Sequence, residues 1–516
     1  MSGAVFLSPA YDRSEYLGAE SLGIRAIAAA LYNRGVEVEV FDEVAEIDSA
    51  LISALQSASL IGIGTLFTRQ IPAALLLVKQ ARAIAPNAHI TMGGQGVAFL
   101  WEQVLNDCPD LDSCCMYEGD DIVCEIWDRM LQKLPLIGIS GLYVRQVGGQ
   151  VEAPPRARNP VEDLDSLPFV YRGTRVENYR DGHATMYTSR GCAAHCSFCQ
   201  SGNYGNRYHK LTKWRHRSAS HIVTEIEFLL TLGITAISIV DDDFLGGDGR
   251  GRARAEEFAQ LIDDRGICIT FSIECRVDEI DQSILSTLRR AGLRHVLIGI
   301  ESANQFDDNL FAKKVSTEEI ETAITLLRRL DIDFSAGFIM FHPLSTVDRL
   351  QENLSFMAKH KIGTYRRVTN RLELYPGAPL LSYFRRRGVD FREDSYRLYY
   401  DFVDPVVARY YSVARTILHP FIELESAAET ARFAADNAST STSRREIYLL
   451  TMEISGALVD AADKCLAHIM GGNADAELER LSPLIIDTVR GLSARVANVK
   501  SREAGEADLN RKEVER

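Results

Sequence analysis

The chain has 516 residues, 46% of them hydrophobic, and a formal net charge of -14. That apolar content can bury about three domains of roughly 100 to 200 residues, and the acidic balance excludes a general attraction to nucleic-acid backbones or anionic membranes. No run reaches the roughly 20 apolar residues that span a bilayer, and no basic region precedes an apolar one at the amino terminus; a cytoplasmic protein is expected, its ten cysteines kept mostly as thiols.

In chain order, AVFLS reads as a first strand. A helix over Leu22, Ile27 and Leu31 ends at Gly35, a residue suited to a helix C-cap, and VEVEVF follows as the second strand. LIGIGT, the helix QIPAALLLVKQARAI, the strand HITMGG, the helix FLWEQVL, a short strand near Cys115 and Met116 and the helix DIVCEIWDRMLQ come next. Five strands alternating with helices predict a parallel, doubly wound sheet over residues 1–135. Residues 136–183 read as a linker, with a hairpin in GLYVRQVGGQV and a Pro- and Asp-rich strap in APPRARNPVEDLDSLPF.

A second βα series runs over 184–385. Its strands are ATMYTSR, ITAISIVDD, ITFSIE, HVLIGIE, FSAGFIMF and RVTNRLELY, which predict a partial (β/α)6 barrel. Ile222, Ile226 and Leu230 recur every four residues in the first intervening helix, and the strands are continuous apolar runs, as buried parallel strands are. Residues 386–500 read as a mainly helical domain, with Ile447, Leu450, Ile454, Leu458 and Cys465 on one face and a loop at DNASTSTSRR. Residues 501–516 read as a disordered tail. The fold class is α/β, and Cys268, Cys275 and Cys465 read as core residues.

The stretch TSRGCAAHCSFCQSGNYG places Cys192, Cys196 and Cys199 directly after a predicted strand. Three thiolates on one loop can hold three corners of a compact cluster. A structural zinc ion wants four ligands, for which His195 or His209 would be the fourth; a four-iron cluster on three thiolates leaves one iron open to a reactant.

CAAHCSFC, with C-x3-C-x2-C spacing and an aromatic residue before the last cysteine, resembles the motif of radical S-adenosylmethionine (SAM) enzymes. The resemblance implies a 4Fe-4S cluster on Cys192, Cys196 and Cys199, with SAM on the open iron and a 5'-deoxyadenosyl radical as the reactive product. It also implies that Asp241, Asp242 and Asp243, at the end of the second strand, accept the methionine ammonium; a solvated acidic turn is the other reading. Glu274, Arg276 and, in LIGIES, Glu301 sit at strand carboxyl ends, where barrels bind ligands. For Arg276 and Glu301 both contact with SAM and a structural ion pair stand open. LYPGAPL resembles the family's segment closing the sixth strand, although a Pro-Gly turn alone accounts for it.

A doubly wound sheet binds ligands at the carboxyl ends of its strands, and no G-x-G-x-x-G supports a dinucleotide. Placed before such a barrel, this domain resembles the cobalamin-binding domain of class B radical methylases. MGGQG and YEGDD match that family's loops, which implies that Gly93, Gly94, Gly96, Glu118 and Gly119 border the cobalamin tail. The D-x-H-x-x-G motif is absent; GTLFTRQ stands there, so that Thr65, Phe67, Thr68 and Arg69 would face the lower side of the corrin. Arg69 is either a catalytic group discouraging a sixth cobalt ligand or an exposed helix-start arginine. VEDLDSLPF resembles the segment joining the two domains.

Over residues 1–385 the resemblance implies a cobalamin-dependent radical SAM enzyme. The first reading is a methyltransferase that moves a methyl group from SAM, via methylcobalamin, to a carbon of a small metabolite or peptide. The alternative is rearrangement, ring contraction or cyclisation without methyl transfer. Expected partners are the substrate and an electron donor such as flavodoxin or ferredoxin, with no nucleic acid and no membrane. The residues beyond 386 are expected to cap the barrel and select the substrate, or to mediate oligomerisation.

Overall fold

The structure is a computed structural model that describes residues 3–10, 20–173, 179, 182–201, 214–247, 249–437, 441–471 and 474–514. His209, one of the two candidate zinc ligands, lies outside the described residues.

The amino-terminal half carries β1 (Ala4–Pro9), β2 (Val38–Val44), β3 (Leu60–Gly64), β4 (His89–Gly93), β5 (Ser113–Cys115), β6 (Leu142–Arg145) and β7 (Val151–Glu152) in one sheet of order β2-β1-β3-β4-β5-β6-β7. The first five are parallel. Helices α1 (Leu22–Tyr32), α2 (Ser49–Ser57), α3 (Ile71–Ile84), α4 (Trp101–Asp107) and α5 (Asp120–Leu131) connect them, and apolar clusters cover both faces of the sheet. The order reverses between β1 and β3, a switch point at which the carboxyl ends of strands leave a ligand crevice. Two features depart from the sequence reading. Helix α2 was not foreseen, although Asp48 caps it by accepting the Leu51 amide at 2.8 Å. The hairpin expected in the linker pairs antiparallel with β5 through β6, so the sheet extends past residue 135 to Glu152.

The barrel sheet is β14-β13-β12-β11-β8, all parallel, from β8 (His183–Met186), β11 (Ala236–Ile239), β12 (Thr270–Arg276), β13 (Leu293–Glu301) and β14 (Asp333–Phe338). Two short strands, β9 (Ser189–Arg190) and β10 (Arg215–His216), pair beside it. The expected sixth strand is reduced to a single parallel bridge, Phe341 to Arg371. Thr364 caps a helical turn, Tyr365–Thr369, out of the first half of that segment by accepting the Arg367 amide at 3.2 Å. The hairpin β15 (Phe391–Asp394) and β16 (Arg397–Tyr400) continues this open edge through the antiparallel bridge Leu374 to Leu398. It then reaches the amino-terminal domain, where Tyr396 donates to Asp107 at 2.7 Å.

The carboxyl-terminal helices do not form a separate core. Ile447, Leu450, Ile454, Leu458 and Cys465 belong to the same apolar cluster as the barrel helices. At Gly363, which follows helix Val347–His360, any Cβ would strike Val459. That loop precedes the closing segment, so the carboxyl-terminal helices pack there against the flank of the barrel. The last helix runs Ala474–Val514 through the expected disordered tail, whose Ala, Glu, Lys and Arg content favours helix. Of the three cysteines read as core, Cys275 and Cys465 are buried and Cys268 is exposed. Among the described residues no helix is long and apolar enough to cross a membrane.

Two domains sharing one buried charge network need little freedom between them. Glu20, ahead of α1, accepts the Thr185 amide of β8 at 2.9 Å and the Tyr179 hydroxyl at 2.6 Å, and the buried Arg172 donates to Glu20, to the Thr185 carbonyl at 2.7 Å and to Glu225 at 3.4 Å. Breaking a buried pair of this kind costs about 3 to 5 kcal/mol, because it strands an uncompensated charge.

Candidate active site

The cysteine loop leaves β8 under tight control. Asp241, at the end of β11, accepts the amides of Thr188 (2.6 Å) and Ser189 (2.9 Å) on one oxygen and the Thr188 hydroxyl on the other, while Arg254 donates to the Thr188 carbonyl at 3.0 Å. Both oxygens of Asp241 thus help to position the loop. Asp243 is also engaged: Oδ1 accepts the Gly246 amide at 3.2 Å, and Oδ2 lies 3.8 Å from Cys192 Sγ. Of the three aspartates, Asp242 alone keeps accessible surface, within a recess whose surrounding protein still desolvates its charge.

Cys192 and Cys199 are partly exposed and Cys196 is buried. Burial, then the Asp243 carboxylate, pushes the Cys192 thiol up to about 12. Burial also raises Cys196, against the pull of Lys313 and Arg276. A bound metal centre reverses this balance, since a coordinating thiol is deprotonated outright. Arg276 Nη1 lies 3.8 Å from Cys196 Sγ, and Arg276 Nη2 donates to the Lys313 carbonyl at 2.9 Å. Lys313 pairs with Glu301 at 3.2 Å. The resulting chain Glu301, Lys313, Arg276 places two cations at Cys196. Sequence reasoning named Arg276 and Glu301 and missed Lys313, because AKKV carries no motif and the contact forms only when the β13 loop folds back over the strand ends.

Glu274 sits one pleat below Arg276 on β12 and, like Asp242, has no cationic partner among the described residues. Burial, then the neighbouring Asp242 and Asp241 charges, pushes the Glu274 carboxyl up to about 7. Burial likewise raises Asp242, whose carboxylate is otherwise supported by Ser201. Two carboxyls raised in this way would be relieved by a bound cation.

At the amino-terminal sheet, the loops after β3 and β4 lock together. The Gly96 amide donates to the Thr65 carbonyl at 3.0 Å and the Thr65 amide to the Gly93 carbonyl at 3.0 Å. Gly94 has φ +99°, and a Cβ there would strike the Thr65 carbonyl; one at Gly96 would lie 2.5 Å from the Phe67 carbonyl. The small residues expected to admit a ligand tail are thus demanded first by the protein's own loop. Gly93 abuts Cys115 and Gly119 abuts Ile27. Thr65 and Thr68 are buried, and Gln70 holds the turn by accepting the amides of Leu66 (2.7 Å) and Phe67 (2.9 Å).

The two sets of strand ends face one another. Arg190, two residues before Cys192, donates to both oxygens of Asp120, and Glu118 pairs with Arg190 (3.3 Å) and Arg215. Glu118, expected beside a ligand tail, is therefore an interdomain clamp. Arg69 lies 4.2 Å over the Phe67 ring and pairs with Glu373 of the barrel's closing segment at 3.4 Å, so it is not a solvent-exposed helix-start residue. Gly377, in YPG, packs against the Phe99 ring.

Residues 16–126 match the B12 binding domain family and residues 186–357 the Radical SAM superfamily. The chain thus carries a B12 binding domain and a radical SAM domain, the pairing of cobalamin-dependent radical SAM enzymes. An uncharacterised methyltransferase of Pyrococcus horikoshii is 27% identical, over 69% of this chain and 77% of the relative. The anaerobic magnesium-protoporphyrin IX monomethyl ester cyclase of Rubrivivax gelatinosus is 27% identical over 53% of this chain and 49% of its own length. In fold, the chain resembles the cobalamin-dependent S-adenosylmethionine radical enzyme OxsB, with a TM-score of 0.74 at 18% identity, covering 99% of this chain and 81% of the other.

The donor set fits the cofactors of this family. Among the described residues no group of three His, Cys, Asp or Glu converges on a single metal ion; a four-iron cluster spreads its thiolates farther apart than the about 2.3 Å Zn–S bonds of one ion allow. The Arg276 and Lys313 cations beside Cys196 suit thiolates that carry net negative charge. The Asp242 and Glu274 carboxyls suit the ammonium of SAM. The loop GTLFTRQ offers no imidazole, so it fits a cobalamin that takes no base from this loop.

Proposed function

We propose that this chain is a cobalamin-dependent radical SAM methylase that places a methyl group on a carbon of a small metabolite or peptide. The observation that carries the reading is the apposition of the two strand-end surfaces: Arg190, at the root of the cysteine loop, is held by Asp120 and Glu118, and Arg69 is held by Glu373. When bound, the cluster with SAM supplies radical chemistry at unactivated carbon and cobalamin carries the methyl group. The protein's part is placement. Cys192, Cys196 and Cys199 hold the cluster; Asp242 and Glu274 accept the SAM ammonium; Arg276 and Lys313 balance the charge at Cys196, with Glu301 orienting Lys313. Thr65, Phe67, Thr68 and Arg69 would border a bound corrin, and Gly93, Gly94, Gly96 and Gly119 let the loops at the strand ends pack closely beside it. Arg69 offers no lone pair, so it would give a bound cobalamin no base from this loop, and Glu373 fixes its direction. In this reading the protein works in the cytoplasm and receives electrons from a carrier protein.

The test is to incubate the reduced, cobalamin-loaded enzyme with methyl-labelled SAM and candidate substrates, and to analyse products by mass. Label in the product, with 5'-deoxyadenosine and S-adenosylhomocysteine, is expected. An unlabelled product with 5'-deoxyadenosine alone would favour rearrangement or cyclisation, the reading that relatives named as cyclases support.

A further inference from the structure

Beside the cysteine loop lies a groove of about 490 Å³ whose lining includes Ser197, Phe306, Leu310, Pro379, Tyr383 and Arg386. The loop contributes Ser197 to its lining. The Ser197 amide donates to the Phe311 carbonyl at 2.8 Å, its hydroxyl to the Leu310 carbonyl at 2.6 Å, and the Leu380 amide to the Ser197 carbonyl at 3.0 Å. Phe198 stands edge-on to Phe311, with 5.4 Å between ring centroids. The groove thus reaches the backbone between Cys196 and Cys199.

Its rim is basic in an acidic protein. Helix Pro379–Arg386 ends in the exposed run Arg385, Arg386, Arg387, and Arg349 lies 3.5 Å over the Phe306 ring. Arginines at a helix carboxyl terminus complement its dipole, and Arg385 and Arg387 also lie over Phe391 and Tyr383. Arg386 instead lines the groove, without an ion-pair partner among the described residues. With a net charge of -14, the molecule as a whole repels an acidic protein, which would approach productively only at a local basic spot.

We propose that this groove docks the acidic one-electron carrier protein that reduces the cluster. The proposal rests on the reading that Cys192, Cys196 and Cys199 hold that cluster. With a flavin carrier, one electron leaves the anionic hydroquinone, which becomes the neutral semiquinone without releasing a proton, and the cluster gains that electron. The half-exposed apolar wall with an arginine rim matches the small contact of weak redox encounters.

Flavodoxin is the probe. Its binding to the reconstituted full-length enzyme is measured by titration calorimetry, and SAM cleavage is measured with either reduced flavodoxin or dithionite as reductant. For Arg386→Glu, and for the triple change of Arg385, Arg386 and Arg387 to Glu, we expect flavodoxin affinity and flavodoxin-driven cleavage to fall by about tenfold or more. Dithionite-driven cleavage stays at the wild-type rate, and wild-type binding weakens with added salt more steeply than that of the triple variant. Unchanged flavodoxin affinity in both variants, or an equal loss with dithionite, overturns the docking site. Wild-type protein that cleaves no SAM with dithionite contradicts the cluster reading beneath it.

Discussion

Arg190 donates to the two carboxylate oxygens of Asp120 at 2.8 and 3.0 Å, joining the root of the cysteine loop to the first turn of α5. Burial alone would raise the Asp120 carboxyl, and the Arg190 guanidinium more than offsets this, holding it below its ordinary value. The pair couples the two cofactor-binding ends, so Asp120→Ala should lower stability by about 3 to 5 kcal/mol. The double variant with Arg190→Met should lose less than the sum of the single changes. Urea unfolding of the four proteins measures the coupling; strict additivity would show that the pair does not act as a clamp.

Charge at Cys196 should set how easily the cluster is reduced. Arg276→Met removes one of the two cations beside the thiolate, and the reduction potential should fall by about 30 to 60 mV, up to a tenfold shift in a one-electron equilibrium. Spectroelectrochemistry with iron content held constant is the check. An unshifted potential would assign Arg276 to packing alone.

Gly94 serves two masters, the fold and the corrinoid crevice. Because its φ is +99° and a Cβ would meet the Thr65 carbonyl, Gly94→Val should destabilise even the cobalamin-free protein, by about 1 to 3 kcal/mol. Thermal melts of the apo and cobalamin-loaded protein separate the effects. A variant that binds cobalamin poorly yet melts at the wild-type temperature without it would place the glycine requirement on the ligand instead.

Both parallel sheets were legible in the sequence because each strand is a short apolar run bounded by Gly or by acidic turns, and the cysteine spacing is local. What escaped depends on partners distant in the chain. Glu118 reads as part of a glycine-rich ligand loop until Arg190 and Arg215 fold onto it, and the sequence leaves Arg69 open between a group facing the corrin and a surface arginine until Glu373, 304 residues away, arrives across the cleft. RVTNRLELY has the composition of a strand, yet the Thr364 cap turns its start into helix. Asp241, Asp242 and Asp243 are indistinguishable in sequence; only the fold commits the first to the Thr188 and Ser189 amides and leaves the second with accessible surface.

Below the barrel, Glu425 accepts the Tyr365 amide at 2.8 Å. Burial raises its carboxyl to about 7, despite the opposing pull of that amide and of Arg367. Its folded value exceeds its unfolded one, so the folded protein retains a proton that the unfolded chain has lost, and stability declines as pH rises from about 4.5 to 7. Glu425→Gln keeps the acceptor and never ionises. It should exceed the wild type in stability by about 1 to 3 kcal/mol at pH 8 and match it near pH 5. Denaturation at both pH values measures this, and an equal difference at the two would refute it.

A single assay reaches the heart of the account without the natural substrate. Protein carrying cluster and cobalamin is reduced anaerobically with SAM, and both 5'-deoxyadenosine and S-adenosylhomocysteine are quantified beside a variant with Cys192, Cys196 and Cys199 all changed to Ala. The wild type should form both compounds, and the variant no 5'-deoxyadenosine. Cleavage that survives in the variant, or a wild type that yields neither compound, would contradict a cobalamin-dependent radical SAM centre built on these three cysteines.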